Sequence, residues 1–220
     1  LLQRYGDSFP AGYREDYAAR TAVRDIELVE AAQRNETLSM NLYRPIEAAP
    51  RAFRFKVYRS GQSIALSRSL PMLEHLGVRV DEERPYLIEP AGSMPAWVHD
   101  FGLELTDDVE FDIERVKALF EQAFARVWAG EVENDDFNRL VLRAQLAARE
   151  ISILRAYAKY LRQVGSTFSD AYIERAVTGN PPLARGLVDL FLARFDPALG
   201  PSRASRTEVL LKGIETALDQ

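Results

Sequence analysis

The sequence predicts an α+β domain followed by an all-helical one. Two observations carry this. In the first half, strand-like runs come in pairs separated by helical spacing; in the clearest run, Phe53, Phe55 and Val57 alternate with Arg54, Lys56 and Tyr58. Beyond about Asp107 that alternation stops, and apolar residues recur every three to four positions.

Each element follows from its local pattern. AARTAVRDIELVEAAQRN places Val23, Ile26, Val29 and Ala32 near helical spacing, with Asn35 as its stop. TLSMNLYRP and AFRFKVYRS read as strands around a loop holding Pro45 and Pro50. SRSLPMLEHLG reads as a helix with Leu70, Leu73 and Leu76 as its stripe. Pro71 falls near its first turn and Gly77 just past its end. GVRVDEERPYLIEP and MPAWVHDFGLEL supply two more strands. The order helix, strand, strand, helix, strand, strand suits an antiparallel sheet with both helices on one face, the layout of a ferredoxin-like or ACT-like unit, or of another small α+β sandwich. Residues 1–107 form this unit and 108–220 the helical domain.

The helical half begins with the stripe Phe111, Val116, Leu119, Phe120, Ala123, Phe124 and Val127, ending near Gly130. ENDDFNRLVLRAQLA continues it with Phe137, Leu140, Val141 and Ala144, and AREISILRAYAKYLRQVG with Ile151, Leu154, Ala158 and Leu161 up to Gly165. SDAYIERAV and PLARGLVDLFLARF are shorter helices, the second entered through Pro181 and Pro182. The linker DPALGPSRAS precedes a last helix carrying Val209, Leu210, Ile214 and Leu218.

Composition excludes several classes of function. At 220 residues, 47% hydrophobic and 28% charged, the chain has the balance of a globular protein with a real core. No apolar run approaches the roughly 18 residues of a membrane span, and LLQRYGDSF lacks the pattern of a signal peptide. Without cysteine there are no disulfides or thiolate metal sites, which points to the cytoplasm. A net charge of −5 argues against a nucleic-acid partner. RAFRFKVYRSG alternates aromatic and basic residues like an RNA-binding strand, but Phe53, Phe55 and Val57 share one face, most simply the face under the helices. The other face then shows Arg54, Lys56 and Tyr58 to solvent, suited to an acidic surface or another domain. The missing initiator methionine and the helical spacing kept to the last residues lead us to expect a segment of a longer polypeptide.

Chemistry is scarce. In WVHDFGL, His99 and Asp100 are neighbours on a strand and therefore face opposite ways, so they cannot form a base and its orienting carboxylate. His99 reads as a core or edge histidine with one hydrogen bond. His75 reads as solvated beside Glu74, and the two histidines share no metal motif. Glu131, Glu133, Asp135 and Asp136 form a charge run at a helix start, without the glycine and spacing of a calcium loop. RSGQS, PAGSM and TGNPP lack the patterns of phosphate-binding loops. No catalytic, cofactor-binding or metal residue is assigned.

FPAGYREDYAARTAVRDIELVE, LSRSLPMLEHLGVRVDEERPYLI, WVHDFGL and ENDDFNRLVLRAQLAAREISILRAYAKYLRQ follow one another in order. From about Phe9 to Pro197 they resemble the large-subunit bacterial NAD-specific glutamate dehydrogenases, with a weaker likeness through the last helix. The resemblance implies an ACT-like domain plus the helical region preceding the catalytic domain. It places the catalytic residues and the NAD site outside this sequence. It implies a regulatory or oligomerisation role, other domains and subunits of the same enzyme as partners, and a possible small amino-acid effector.

Overall fold

A computed structural model describes residues 2–106 and 112–218. Phe111, the first residue of the expected helical stripe, and the expected 107/108 boundary lie outside the described residues. The chain divides into two compact units, Leu1–Glu74 with Val78–Lys117, and His75–Gly77 with Ala118–Gln220.

The first unit opens with two short helices, α1 (Leu2–Tyr5) and α2 (Ala11–Asp16), and the longer α3 (Ala19–Asn35). β1 (Ser39–Tyr43), β2 (Ala52–Ser60), α4 (Leu66–His75), β3 (Val78–Ile88) and β4 (Ala96–Leu105) follow. The four strands form one antiparallel sheet in the order β1-β2-β4-β3. α4 starts one residue before the expected Ser67, and Pro71 lies inside it, past the first turn.

The expectation of both helices on one face is wrong. On one side of the sheet, Ile26, Val29 and Ala32 of α3 and Tyr5, Phe9 and Tyr13 of α1–α2 cluster with Tyr58, Tyr86, Ile88, Ala96 and Val98. None of the buried residues of α4 belongs to that cluster. On the other side, Ile64, just ahead of α4, donates its N–H to His99. Both faces of β2 are therefore covered: Phe53, Phe55 and Val57 are buried, and so are Lys56 and Tyr58.

The second unit is helical. It comprises the larger part of α5 (Ile113–Ala129), a 3-10 turn (Asp136–Arg139), α6 (Leu140–Arg143), α7 (Ala148–Gln163), α8 (Asp170–Thr178), α9 (Pro181–Phe195), a second 3-10 turn (Pro197–Ser202) and α10 (Arg203–Leu218). Phe137, Leu140, Val141, Leu146, Ile151, Leu154, Ala184 and Val188 are buried. The single helix expected over 133–147 is instead a 3-10 turn and one helical turn. Its polar side chains are held elsewhere: Asn138 Nδ2 donates to Glu133 O, and Asp135 is gripped by Arg155. Ser169 caps α8 by accepting from Tyr172 N–H. α10 rests on α9 but buries no residue fully, and Val209 and Leu218 stay exposed.

Candidate functional site

The densest polar cluster in the first unit lies under α2 and α3, on the sheet face expected to be open. It is built from α2 and the residue after it, one position of α3, and four strands. Asp25 falls in the apolar stripe of α3, beside Ile26 and one turn before Val29, and so is carried onto the sheet. Its Oδ2 accepts from Lys56 Nζ at 2.6 Å and from Tyr13 Oη at 2.5 Å, and its Oδ1 from Tyr58 Oη at 2.7 Å. Lys56 and Asp25 are each about 1% exposed. The ammonium also lies 3.7 Å from the centre of the Tyr17 ring, a cation–π contact in a desolvated setting.

Asp100, the cross-strand neighbour of Lys56, forms the second centre. It accepts from Arg54 Nε at 3.0 and 3.1 Å, from Tyr43 Oη at 3.2 Å, and from Tyr17 Oη. Burial raises its carboxyl above the usual range, and the Arg54 guanidinium opposes that rise. Arg54 continues to Glu82, whose pKa its hydrogen bond lowers. Arg84 then joins Glu82, at 3.0 Å, to Asp16, at 3.0 Å, and Tyr86 Oη donates to Asp16. Gly102 makes this chain possible, because a Cβ there would stand 2.7 Å from Glu82 Cγ.

The tyrosines are held neutral. Burial first, then the adjacent carboxylates, pushes Tyr13, Tyr17 and Tyr58 well above the normal phenol range, and Tyr86 up to about 12. Asp25 and Asp100 each accept from several donors. The cluster's hydrogen bonds join α2, α3 and all four strands.

This corrects the reading of Arg54, Lys56 and Tyr58 as a solvent-facing row. Lys56 and Tyr58 are fully buried, and the Arg54 side chain keeps 18% exposure. The sequence signal was present: one carboxylate inside the α3 stripe, and one of only four lysines inside a strand.

His99 and Asp100 do point to opposite faces. His99 has more partners than the one expected. Its Nε2 accepts from Ile64 N–H at 3.0 Å, so Nδ1 carries the proton and donates to Glu83 Oε1 at 2.6 Å. Ser63 Oγ lies 3.1 Å from Nε2, completing a carboxylate–imidazole–hydroxyl line. In nucleophilic catalysis that nitrogen accepts the hydroxyl proton. Here the Ile64 N–H occupies its lone pair, and the histidine anchors the lead-in to α4.

His75 is not solvated beside Glu74: it is half-buried, with Nδ1 sequestered. The acidic run is not a free charge run either. Arg155, 4% exposed at its side chain, grips Asp135 through two nitrogens at 2.7 and 2.8 Å. Lys159 bonds Glu133, Arg139 bonds Asp136 at 3.0 Å, and Arg126 approaches Glu131 at 3.8 Å. No group of three or more His, Asp or Glu among the described residues is arranged to hold a metal. No helix of the described residues is long and apolar enough to cross a membrane.

Three family models match the chain in order, all from glutamate dehydrogenase: helical motif 2 over residues 1–32, the ACT3 domain over 37–116 and helical motif 3 over 132–197. An NAD-specific glutamate dehydrogenase of Halomonas elongata is 43% identical over 220 residues, covering all of this chain and 14% of that protein. Those of Pseudomonas aeruginosa and Mycobacterium tuberculosis are 37% identical over 195 residues and 33% over 207, covering 89% and 92% of this chain and 12% and 13% of theirs. The chain thus spans only a small part of the length of the relatives it matches. It belongs to the NAD-specific glutamate dehydrogenase family, in the stretch running from helical motif 2 through ACT3 to helical motif 3.

Proposed function

We propose that this stretch is a non-catalytic regulatory or oligomerisation segment of an NAD-dependent glutamate dehydrogenase. The parent reaction oxidises L-glutamate with NAD and water to 2-oxoglutarate, ammonia and NADH, in the cytoplasm, with catalysis and NAD binding elsewhere in the longer polypeptide. The supporting observation is a contrast within the chain. Its polar clusters are closed on themselves, whereas α7 and α9 leave a broad apolar surface uncovered. Tyr157, Tyr160 and Leu192, 49%, 58% and 39% exposed, line a groove of about 720 Å³, and Phe195, 62% exposed, packs its ring 4.8 Å from that of Phe191 in the groove wall. Exposed apolar area on that scale suits contact with another domain or subunit of the same enzyme. Introducing Tyr160→Glu and Phe195→Glu into the full-length enzyme should lower its assembled mass or its activity. Unchanged assembly and turnover would remove this surface from the account.

A second reading, an ACT-like interaction or amino-acid-binding module, has one observation in its favour. A cavity of about 350 Å³ is lined by Arg4, Glu30, Gln33, Arg34, Ser60 and Ser93, which offers both charges that an amino-acid effector carries. Titrating the chain with single L-amino acids by calorimetry tests this reading. Heat that disappears in Arg34→Ala supports it, and no heat from any of the twenty rejects it.

A further inference from the structure

The family regions place residues 1–32 in helical motif 2 and residues 37–116 in ACT3, as separate parts. The contacts do not respect that division. Along the segment from Arg4 to Gln33, successive residues are tied to the sheet or its β3–β4 turn. Ala91 N–H donates to Arg4 O at 2.9 Å, and Glu89 N–H to Ser8 O at 3.1 Å. Asp16 takes Arg84 and Tyr86, and Tyr17 bonds Asp100. Asp25 holds Lys56 and Tyr58, and Gln33 Nε2 donates to Met94 O at 2.6 Å. The apolar cluster is likewise shared, joining Ile26, Val29 and Ala32 to Tyr58, Ile88 and Val98.

We infer that the Lys56 face of the sheet is a docking surface whose occupant is the α1–α3 segment of the same chain, and that the two form one cooperative unit. The selecting feature is chemical. A helix placed here must bring a carboxylate to the buried ammonium, or else leave a charge unpaired in the core. The end of helical motif 2 is thus the second layer of ACT3. No effector or second subunit takes this face while the segment is seated, and a displacement of α3 is carried directly into β2 and β4.

Amide hydrogen exchange on the whole chain tests this, with the second unit as an internal control. Asp25→Asn should lower the protection of Val29 and Ala32 in α3 and of Phe55, Val57 and Phe101 in the strands by the same factor, at least about 100-fold. Ile151 and Leu154 should not change. Tyr13→Phe removes one of three donors to Asp25 and should preserve folding, so it carries the test if the first variant does not fold. It should lower both sets together, by roughly fivefold. Loss of protection confined to α3, with the strands unchanged in either variant, would overturn the inference.

Discussion

The two units keep charge in opposite ways. In the first, Asp25 and Lys56 are removed from water altogether, and Asp100 is buried beside an arginine. In the second, most charges pair at the surface, Arg155 being the exception, while apolar side chains of α7 and α9 face outward. A buried pair contributes little net stability when intact, but breaking it is costly because one charge is left without a partner. The first unit is therefore built to have one arrangement and to fail as a whole. The second presents a surface that gains by being covered.

The largest expected effect is on the buried pair. Asp25→Asn should cost the first unit about 3–5 kcal/mol, read as a shift in its denaturation midpoint while the second unit melts as before. Equal loss in both units would erase the contrast.

Alkaline pH should act on the same unit. Tyr13, Tyr17, Tyr58 and Tyr86 have folded pKa values raised above that of a free phenol. The folded state therefore holds protons that the unfolded chain releases. The stability they contribute is fully present below about pH 10 and is lost as pH rises above it, for Tyr86 between about 10 and about 12. Tyrosinate absorbance should rise together with unfolding of the sheet, and tyrosines that ionise freely at pH 10 in the folded state would contradict the cluster.

Arg155→Ala should cost the second unit about 2 kcal/mol, less than the Asp25 variant because Asp135 keeps partial access to water. Gly102→Ala should cost the first unit about 1–2 kcal/mol, because its methyl displaces Glu82 and with it the contact to Arg54. Thermal melts of the two variants should each move one unit only. Smallest of all, Tyr160→Ser should leave melting within about 0.5 kcal/mol of the parent, since that ring is 58% exposed.

Most of the fold was legible because its elements obey their periods. The alternation through β2 and the stripe of α3 each located an element to within a few residues. What alternation cannot supply is the second covering layer. Arg54, Lys56 and Tyr58 look like the wet side of a strand, and only the arrival of Asp25 turns Lys56 inward. Pairing between Lys56 and a carboxylate 31 positions earlier is tertiary information. The same holds for Arg155, whose partner Asp135 lies 20 positions earlier, ahead of a 3-10 turn where local spacing favours a helix around Phe137. Strand alternation sets His99 and Asp100 on opposite faces, but Glu83, the partner of His99 on the next strand, depends on a register shift between Val80 and Glu82.

Asp25 and Lys56 act as one locked pair. A double-mutant cycle with Asp25→Asn and Lys56→Met, followed by denaturant unfolding of the first unit, measures that directly. Each single change should cost several kcal/mol and the double change much less than the two combined, a coupling of about 2 kcal/mol or more. Single changes that are each nearly neutral and simply additive would contradict it.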